Sequence, residues 1–438
     1  MVCLVPMMPN DGLRYVEEAR RIVSEQNEWR GKKTLNLIAS ENVMSQGAAS
    51  VYNSDFEHRY AEGEIGERYY EGTRYVDQVE ALLDEALKKL FKCAYVNYKP
   101  ISGAQANLAV FYAYAKPGDS VMSLDVPSGG HISYREFGAA GCRGLNVHDI
   151  PFNPSKLEVV LEELRNKVRQ VRDKLRIVTL GGSLFLFPHP VREIATILRE
   201  EAPDQDVVVH YDAAHVLGLI AGGVFQDPLR EGANIISSST HKTFPGPQGG
   251  LILAEGLTDK KISAIRKSIF PGLVSNHHLH RLPALLYTTA EMIAFGHQYA
   301  LQTVRNAKRL AKALDELGFK VLGKEKGYTE SHQVAFDASP IGGGTYVATR
   351  LAEANIIVNK NLLPGENSKN SKNPSGIRIG VQEITRYGMK EEEMERVAQM
   401  MSEVILSKTE PSRVAIEVEK LRAEFPHIGY TFDAIVQG

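Results

Sequence analysis

The chain has 438 residues, of which 43% are hydrophobic and 24% charged, and its 51 basic and 53 acidic side chains leave a net charge of −2. This is the profile of a globular protein large enough for two domains, and the balanced charge gives no reason to expect nucleic acid or an anionic membrane as a partner. No apolar run approaches the about 18 residues of a membrane span and no signal peptide is recognisable, so we expect a cytoplasmic protein.

The cysteines and the one cluster of histidines give no sign of a metal site. The cysteines are Cys3, Cys93 and Cys142, and the clustered histidines are His277, His278 and His280. The cysteines lack metal-ligand spacing and are predicted to be small buried side chains in a reducing compartment. The histidines have no carboxylate or cysteine nearby in the sequence to complete a ligand set, so no metal is predicted.

The start of the chain is predicted to form an N-terminal arm over residues 1–50, ahead of a large domain at 51–285 and a small domain at 286–438. Residues 11–29 are charged and compatible with a helix that is mobile or contacts a partner. An apolar run then closes on Ser40, which by itself favours a strand end with a helix cap.

The segment from Tyr60 to Gly72 combines tyrosines, glutamates and glycines at a density that is unusual for a packed element. Glycines relax the backbone, and tyrosines present flat faces with a polar tip. The segment is therefore either a plain surface loop or a binding loop. Residues 73–91, which follow, have apolar side chains at spacings of three and four and predict an amphipathic helix.

From residue 94 onward, predicted strands and helices alternate. Strands are expected at 94–97, 120–124, 176–180, 207–212, 234–239 and 250–254, and helices at 102–114, 157–175 and 191–200. This alternation predicts an α/β fold with a mostly parallel sheet and helices on both faces. Ser102, Ser128, Ser183, Asp212 and Lys242 are all placed at carboxyl ends of strands, where ligands bind in open α/β sheets.

Asp212 and Lys242 together indicate a particular cofactor. Asp212 ends a predicted strand, and Lys242 follows the next strand 30 residues later, between hydroxyl side chains and a loop rich in glycine and proline. Pyridoxal 5'-phosphate needs an amine for a Schiff base and a carboxylate to hold the proton of its ring nitrogen. Either residue alone would be an ordinary loop residue, whereas the pair favours this cofactor. The turn at Ser102 and Gly103, ahead of a helix, offers free N–H groups for its phosphate.

The C-terminal part is predicted to be a smaller mixed domain, with a helix at 299–317 and a flexible polar loop at 365–375. Arg378 is the one cation in the apolar strand at 376–380. It is either paired structurally or placed to bind a carboxylate with its planar guanidinium.

Taken together, these motifs resemble serine hydroxymethyltransferase, a pyridoxal-phosphate family of fold type I (aspartate-aminotransferase-like). The resemblance runs from Leu35 to Gly388 and rests on Leu37-Ile-Ala-Ser40-Glu41-Asn42, Tyr60-Ala-Glu62-Gly63, Arg68-Tyr69-Tyr70, Ser102-Gly-Ala-Gln-Ala-Asn107, Gly129-Gly-His131, Asp212-Ala-Ala-His215, Thr240-His-Lys242-Thr, Asn359-Lys-Asn361 and Gly376-Ile-Arg378-Ile-Gly380. It implies a large, mostly parallel sheet domain and a smaller C-terminal α/β domain.

The resemblance also implies roles for individual residues. Those implied to be catalytic are Lys242, which would carry the cofactor, Glu62, the leading candidate for proton transfer, Tyr70 and His215. Cofactor contacts would come from Ser102, Gly103, Ser183, Asp212, His215, Thr240, His241, Lys242 and Gly272. The substrate would contact Ser40, Tyr60, Glu62, Tyr70 and Arg378, and a reduced pterin would contact Glu62, Tyr69 and Asn359. Because Tyr60, Glu62 and Tyr70 would reach in from a neighbouring subunit, a homodimer with shared active sites is expected.

Three positions depart from the pattern of the family. Ser128 stands where the family usually stacks a histidine on the cofactor ring, so His131 or another group would have to cover that face. Gln248 replaces the arginine of the usual Gly-Pro-Arg-Gly-Gly, and Leu273-Val-Ser-Asn276 replaces a glycine-rich loop. These features resemble the archaeal branch of the family.

The implied reaction is the interconversion of serine and glycine, with transfer of the one-carbon unit to a reduced pterin. The archaeal features favour tetrahydromethanopterin over tetrahydrofolate as that carrier. Two alternatives stay open: a low-specificity threonine aldolase that needs no pterin, and a non-catalytic protein of the same fold. The complete set of lysine, aspartate and arginine argues against the non-catalytic protein.

Overall fold

Strands and helices alternate through the centre of the chain in a computed structural model that describes residues 10–433. The helices are α1 (Asn10–Glu28), α2 (Gln46–Ser50), α3 (Arg74–Phe91), α4 (Gly103–Tyr114), α5 (Ala139–Cys142), α6 (Leu161–Val171), α7 (Val191–Glu201), α8 (Leu217–Ala221), α9 (Pro228–Glu231), α10 (Asp259–Lys267), α11 (Arg281–Glu316), α12 (Gly343–Glu353), α13 (Gln382–Arg386), α14 (Glu391–Ile405) and α15 (Pro411–Glu424). The strands are β1 (Leu35–Asn36), β2 (Gly63–Glu64), β3 (Glu67–Arg68), β4 (Tyr95–Asn97), β5 (Ser120–Ser123), β6 (Asn146–Asp149), β7 (Phe152–Asn153), β8 (Glu158–Val159), β9 (Leu175–Gly181), β10 (Val208–Asp212), β11 (Ile235–Ser239), β12 (Gly250–Ala254), β13 (Lys320–Val321), β14 (Gln333–Asp337), β15 (Ile356–Ile357), β16 (Asn359–Asn361) and β17 (Gly376–Gly380).

A seven-stranded sheet with the order β4–β12–β11–β10–β9–β5–β6 carries the candidate site. Neighbouring strands pair in parallel except around β12, which runs antiparallel to both β4 and β11. Successive residues of a strand pack on opposite faces: Ile177 and Val208 belong to one apolar cluster, and Val178 and Val209 to another. Both faces are therefore covered, which confirms the predicted α/β fold.

Two helices differ in length from the predictions. The helix expected over 157–175 is shorter, because Leu157 has a φ of 55°, β8 pairs with β7, and Leu175 already begins β9. The charged residues that follow α6, 172–174, form a turn that leads into β9 instead of continuing the helix. The helix expected from residue 299 begins at Arg281, and Pro283 lies in its first turn, where proline breaks no helical hydrogen bond.

A four-stranded antiparallel sheet, with the order β13–β14–β17–β16, lies in the C-terminal part. It shares an apolar cluster with the second half of α11, for example through Leu310, whereas Leu285 in the first half packs in the core of the large sheet. Leu35 and Leu37 also belong to the C-terminal cluster, and β1 pairs with β15. We propose that the two domains divide inside α11, near residue 286.

The surface carries one long exposed helix and one unexpected cysteine. Residues 12–29, which cover most of α1 and the residue after it, are exposed. Such exposure suits a helix that contacts a partner. Cys93 is buried but Cys142 is exposed, so the prediction of buried cysteines is wrong for Cys142. The reason is that the short helix α5 directs Ala140 into the protein and Cys142 toward the surface. Cys3 lies outside the described residues. Over residues 10–433 no helix is long and apolar enough to cross a membrane, and no group of three or more His, Cys, Asp or Glu side chains could hold a metal ion.

Candidate active site

Asp212, the last residue of β10, is a buried carboxylate with three fixed hydrogen bonds. Its Oδ2 accepts from Nδ2 of Asn107 at 2.8 Å and from Oη of Tyr134 at 2.7 Å, and its Oδ1 accepts from the backbone N–H of Ala214 at 2.9 Å. Burial, and next the neighbouring Asp212, raise the pKa of Tyr134 well above its ordinary value, so this residue remains a donor. The carboxylate is thereby held in one orientation at the ligand-binding edge of the sheet.

Asn107 and Tyr134 were not assigned a role from the sequence. Asn107 lies on α4, at the end of the Ser102–Asn107 motif. Its Oδ1 accepts a hydrogen bond from Oγ of Ser237, and that hydroxyl also lies 2.7 Å from Nε2 of His210. This contact leaves Nδ2 of Asn107 to face Asp212. Tyr134 lies in a short 3-10 turn, in a stretch with no sequence signal. Both residues reach Asp212 only through the tertiary fold.

Lys242 follows β11 at the same edge of the sheet. Its carbonyl accepts a hydrogen bond from Nδ2 of Asn42 at 2.6 Å, which ties the loop after β1 to the loop of the lysine. Burial lowers the pKa of the Lys242 ammonium to about 8, against the opposing effect of Asp212 and with a smaller lowering by Arg378. The residue therefore supplies a substantial fraction of neutral amine near physiological pH, and a neutral amine is what attacks an aldehyde.

The start of α4 and the residue before Lys242 form a cradle suited to an anion. Ser102 caps α4, with its Oγ accepting from the N–H of Gln105 at 3.1 Å. A Cβ on Gly103 would lie 3.2 Å from the backbone nitrogen of Ser239, a tight contact, so the glycine favours the close approach of the helix start to β11. Nδ1 of His241 is buried and has no partner among the described residues, and burial lowers the pKa of this imidazole to about 4. The free N–H groups and the open imidazole fit a phosphate group.

Arg281 lies beneath the loop of Lys242 and was not singled out from the sequence. Its guanidinium donates to the carbonyl of Tyr98 at 2.5 Å, to the carbonyl of Gln248 at 3.1 Å and to Oγ1 of Thr240 at 3.0 Å. Thr240 in turn donates to the carbonyl of Pro247 at 2.5 Å. The Thr240 hydroxyl, expected to contact the cofactor, is thus engaged in shaping the loop.

Arg378 projects from β17 and is buried without a carboxylate partner among residues 10–433. Its Nη1 donates to the carbonyl of Ser183 at 2.6 Å, and its Nε donates to Oδ1 of Asn359 at 3.1 Å. Burial lowers the pKa of this guanidinium to about 10. Of the two roles left open by the sequence, binding a substrate carboxylate is favoured, because the neutral partners leave the charge uncompensated.

His215 is buried between the two sheets. Its Nδ1 lies 2.9 Å from Nε2 of Gln333, and its ring stacks on that of His332 with centroids 5.7 Å apart. Burial lowers the pKa of His215 well below its ordinary value. His332 contacts the carbonyl of Ala39 through Nε2 at 3.1 Å, which brings the turn of Ser40 to the same place. Gln333 and His332 are further residues that carried no sequence signal.

Ser128 and His131 lie on the connection after β5. Ser128 lines a small apolar cavity with Leu184 and Phe185. Nδ1 of His131 lies 2.7 Å from Oγ of Ser133. Burial lowers the pKa of His131, while Asp212 opposes the shift. The charge of Asp212 therefore acts on the His131 imidazole. That His131 covers the cofactor ring remains a prediction.

A second group of predicted residues lies on the segment Tyr60–Gly72, which we call the tyrosine hairpin because β2 and β3 pair within it. Oη of Tyr70 donates to Glu62 at 3.3 Å, and Glu62 also accepts from Oγ of Ser275. The rings of Tyr60 and Tyr70 lie 5.5 Å apart. Tyr60, Tyr69 and Tyr70 are 56%, 75% and 42% exposed.

The tyrosine hairpin and the lysine site remain separate within one chain. Among residues 10–433, no hydrogen bond, ion pair or ring contact joins Glu62 or the three exposed tyrosines to Lys242, Asp212 or Arg378. Gly272 is likewise exposed, on the loop whose Phe270 ring lies 6.1 Å from that of Tyr69. The predicted residues thus form two groups.

A buried ionic network anchors the tyrosine hairpin to α3. Arg68 pairs with Asp77 at 2.8 Å and with Glu80 at 2.6 Å, and Glu80 lies 2.6 Å from Nε2 of His277. Asn276 adds two hydrogen bonds of 3.0 Å, to the backbone on either side of Tyr60. His277 therefore does have a carboxylate neighbour, which its sequence surroundings did not reveal, and that neighbour belongs to this network.

An amine with a lowered pKa at the carboxyl edge of a mostly parallel sheet, with a buried carboxylate on the next strand, is the arrangement of pyridoxal-phosphate enzymes of fold type I, and this chain is such an enzyme. The family model for serine hydroxymethyltransferase matches residues 15–401. The chain belongs to the serine hydroxymethyltransferase family, whose reaction is the interconversion of serine and glycine.

Individual relatives agree with the family model. A serine hydroxymethyltransferase of Pyrococcus abyssi is 49% identical over 423 residues, covering 96% of this chain and 97% of its own. That of Methanothermobacter marburgensis is 49% identical over 420 residues, covering 96% of each chain, and that of Methanocella arvoryzae is 48% identical over 402 residues, covering 92% and 93%. These relatives confirm the resemblance to the archaeal branch.

A solved structure supports the same fold and cofactor. The chain is similar to the crystal structure of L-threonine transaldolase from Pseudomonas fluorescens in its internal aldimine state, with a TM-score of 0.88 and 30% identity. The similarity covers 97% of this chain and 95% of the other. The buried Asp212, the open His241 imidazole and the close start of α4 fit pyridoxal phosphate.

Proposed function

We propose that this enzyme passes the one-carbon unit of serine to a reduced pterin, with tetrahydromethanopterin as the carrier and tetrahydrofolate as the alternative. The observation that carries the serine chemistry is Arg378, a buried cation whose partners within the described residues are neutral. A substrate carboxylate compensates that charge, and the planar guanidinium can bind it through two parallel hydrogen bonds.

The residues of the chain have distinct tasks in this proposal. Lys242 supplies the amine, Asp212 faces the ring nitrogen, and the start of α4 with His241 holds the phosphate. When bound, pyridoxal phosphate supplies an electron-accepting ring that stabilises the charge left on Cα after the bond to Cβ breaks. Glu62, which accepts a hydrogen bond from Oη of Tyr70 at 3.3 Å, holds or moves the proton of the substrate hydroxyl in this proposal.

The site is shared between two subunits in this proposal. Among the described residues no contact joins Tyr60, Glu62 and Tyr70 to Lys242 within one chain, which is consistent with their acting on the site of a second subunit. The exposed tyrosines and the exposed α1 support a homodimer in which the tyrosine hairpin of one chain completes the lysine site of the other.

The choice of carrier rests on the archaeal relatives and on the charge of the tyrosine hairpin. The hairpin carries Glu62, Glu64, Glu67 and Glu71. Its one basic residue, Arg68, is buried and paired with Asp77 and Glu80, and Glu64 pairs with Lys99, so Glu62, Glu67 and Glu71 carry the acidic surface. An acidic surface disfavours the glutamate tail of a folate, and tetrahydromethanopterin lacks that tail. Asn359 contacts the pterin through its amide nitrogen in this proposal, since its Oδ1 already accepts from Nε of Arg378.

A second candidate activity is the cleavage of threonine or another 3-hydroxy amino acid without a pterin. The similarity to the L-threonine transaldolase structure favours keeping this candidate. It would use the same Lys242, Asp212 and Arg378, so these residues do not separate the two activities.

The test is a serine cleavage assay at saturating serine, with each reduced pterin and without one. We expect a higher kcat/KM with tetrahydromethanopterin. A preference for tetrahydrofolate of about tenfold, or about 1.4 kcal/mol, would reject the proposed carrier. Threonine cleavage without pterin is the matched control, since it reports an intact lysine site. Serine cleavage at the same rate without any pterin would favour the second candidate.

A further inference from the structure

Gln333, the first residue of β14, joins three parts of the site through one side-chain amide. Its Oε1 accepts from the backbone N–H of Phe185 at 2.8 Å. Its Nε2 lies 3.0 Å from the carbonyl oxygen of Ser183 and 2.9 Å from Nδ1 of His215. Gln333 has no exposed surface, so solvent water does not replace any of these partners.

These partners determine which way the amide of Gln333 points. A backbone N–H only donates and a carbonyl only accepts, so the amide oxygen must face Phe185 and the amide nitrogen must face Ser183. The same nitrogen is then the donor toward His215. Nδ1 of His215 must therefore be the unprotonated ring nitrogen.

The remaining proton of His215 lies on Nε2. Burial keeps the pKa of this imidazole well below its ordinary value, and the charges of Lys242 and Arg378 act in the same direction, so the ring is neutral. Among residues 10–433 no protein atom hydrogen bonds with Nε2 of His215. The Nε2–H group is thus free to donate a hydrogen bond to a bound molecule.

We propose that Gln333 is a positioning residue that fixes His215 as a neutral Nε2–H donor toward the bound cofactor and substrate. His215 then acts as a hydrogen-bond donor to an oxygen of the bound molecule, and it is not a general base. The inference rests on the proposed function for the identity of that molecule, whereas the tautomer itself follows from the contacts of the chain.

Gln333 also couples His215 to the arginine of the substrate site. The carbonyl of Ser183 accepts from both Nε2 of Gln333 and Nη1 of Arg378, at 3.0 and 2.6 Å. A substitution of Gln333 therefore disturbs the carbonyl of Ser183, to which Arg378 also donates. An effect on the KM for serine is expected alongside the effect on kcat.

The test uses the full-length holoenzyme labelled with 15N-histidine and compares wild type with Gln333→Glu and Gln333→Leu. In wild type, the His215 signals should show an unprotonated Nδ1 and a protonated Nε2. Gln333→Glu should invert this pattern, because a carboxylate accepts from Nδ1–H. Gln333→Leu removes the donor and should populate both forms. His189 is an internal reference, since its Nδ1 accepts from the N–H of Gly181 at 3.0 Å.

Kinetics provide the second readout. Both Gln333 variants should lower kcat for serine cleavage by about tenfold or more, given the usual effect of losing a positioned hydrogen-bond donor in an active site. The matched control is Gln302→Leu, which removes an amide that donates to Oδ1 of Asn306 at 2.9 Å and to the carboxylate of Glu391 at 2.8 Å, away from His215. This variant should leave the His215 signals unchanged and kcat within about twofold.

Two results would overturn the inference: a wild-type His215 protonated at Nδ1, or Gln333 variants that keep both the wild-type tautomer and the wild-type kcat. If Gln333→Glu does not fold, the comparison of wild type with Gln333→Leu still tests whether Gln333 determines the tautomer of His215. An enzyme without serine cleavage whose His215 carries its proton on Nε2 would refute the proposed function and support the inference, so the two failures are distinguishable.

Discussion

Arg378 and Asn359 lie opposite each other in the β16–β17 pair, and Nε of Arg378 donates to Oδ1 of Asn359 at 3.1 Å. This contact fixes the plane of the guanidinium and leaves donors for a carboxylate. Replacement of Arg378 by alanine should lower kcat/KM for serine by about a hundredfold or more, because a charged pair is lost in a buried site.

Cofactor binding should survive in Arg378→Ala, and titration with pyridoxal phosphate checks this. Arg396→Ala, which removes an exposed arginine paired with Glu424, is the control and should keep full activity. An unchanged KM and kcat in Arg378→Ala would mean that the arginine is structural.

Lys242→Ala should lose the visible absorbance band of the bound cofactor, because no other lysine follows a strand of the large sheet in the Thr-His-Lys-Thr context. Borohydride reduction of the wild type followed by peptide mapping gives an independent measurement. The label should appear on the peptide that contains Lys242, and a label on any other lysine would contradict the assignment.

Loading of the apoenzyme with pyridoxal phosphate should accelerate as pH rises through about 8, since burial lowers the pKa of Lys242 to that value. Below it the amine is mostly protonated and cannot attack the aldehyde; above it the neutral amine dominates. Stopped-flow absorbance measures the rate. Free lysine side chains titrate near about 10.4, and a midpoint there would contradict the burial argument.

Lys242→Ala and Tyr70→Ala should each be inactive, yet activity should return when the two are refolded together. Random pairing gives half heterodimers, each with one intact site, so up to about a quarter of the wild-type sites should be recovered. The heterodimer fraction is measured with two different tags. Heterodimers without activity would show that one chain builds each site.

Glu80→Gln should destabilise the fold by about 3–5 kcal/mol, the usual effect of removing one partner of a buried ion pair. Glu80 is 1% exposed and contacts both Arg68 and His277. Urea unfolding gives the free energy. Glu424→Gln, at the exposed pair with Arg396, is the control and should show no measurable loss.

The sequence predicted those parts of the site that depend on local pattern. Asp212 ends a strand, Lys242 follows one and Ser102 caps a helix, so strand and helix signals located them. Contacts between distant segments were not predictable: Tyr134 meets Asp212 across 78 residues, and Gln333 meets His215 across 118. Nothing near Gln333 in sequence marks it, because its role depends on how the two sheets come together.

Local pattern also misled where tertiary pairing competes with it. Residues 157–160 were expected to begin the helix that contains α6, yet Glu158 and Val159 form β8 and pair with β7. Cys142 was expected inside on residue type alone, but the short α5 can bury only one side. In both cases packing outweighed the propensity of the residue.

The network of Arg68, Glu80 and His277 holds the tyrosine hairpin through contacts within a single chain. Its backbone already has the hydrogen bonds from Asn276 that hold it in place. In the proposed homodimer, a second subunit that docks on the exposed tyrosines would meet a preorganised surface, and little conformational entropy would be lost there on association. Weakening the network should consequently slow dimer assembly even where it leaves each lysine site intact.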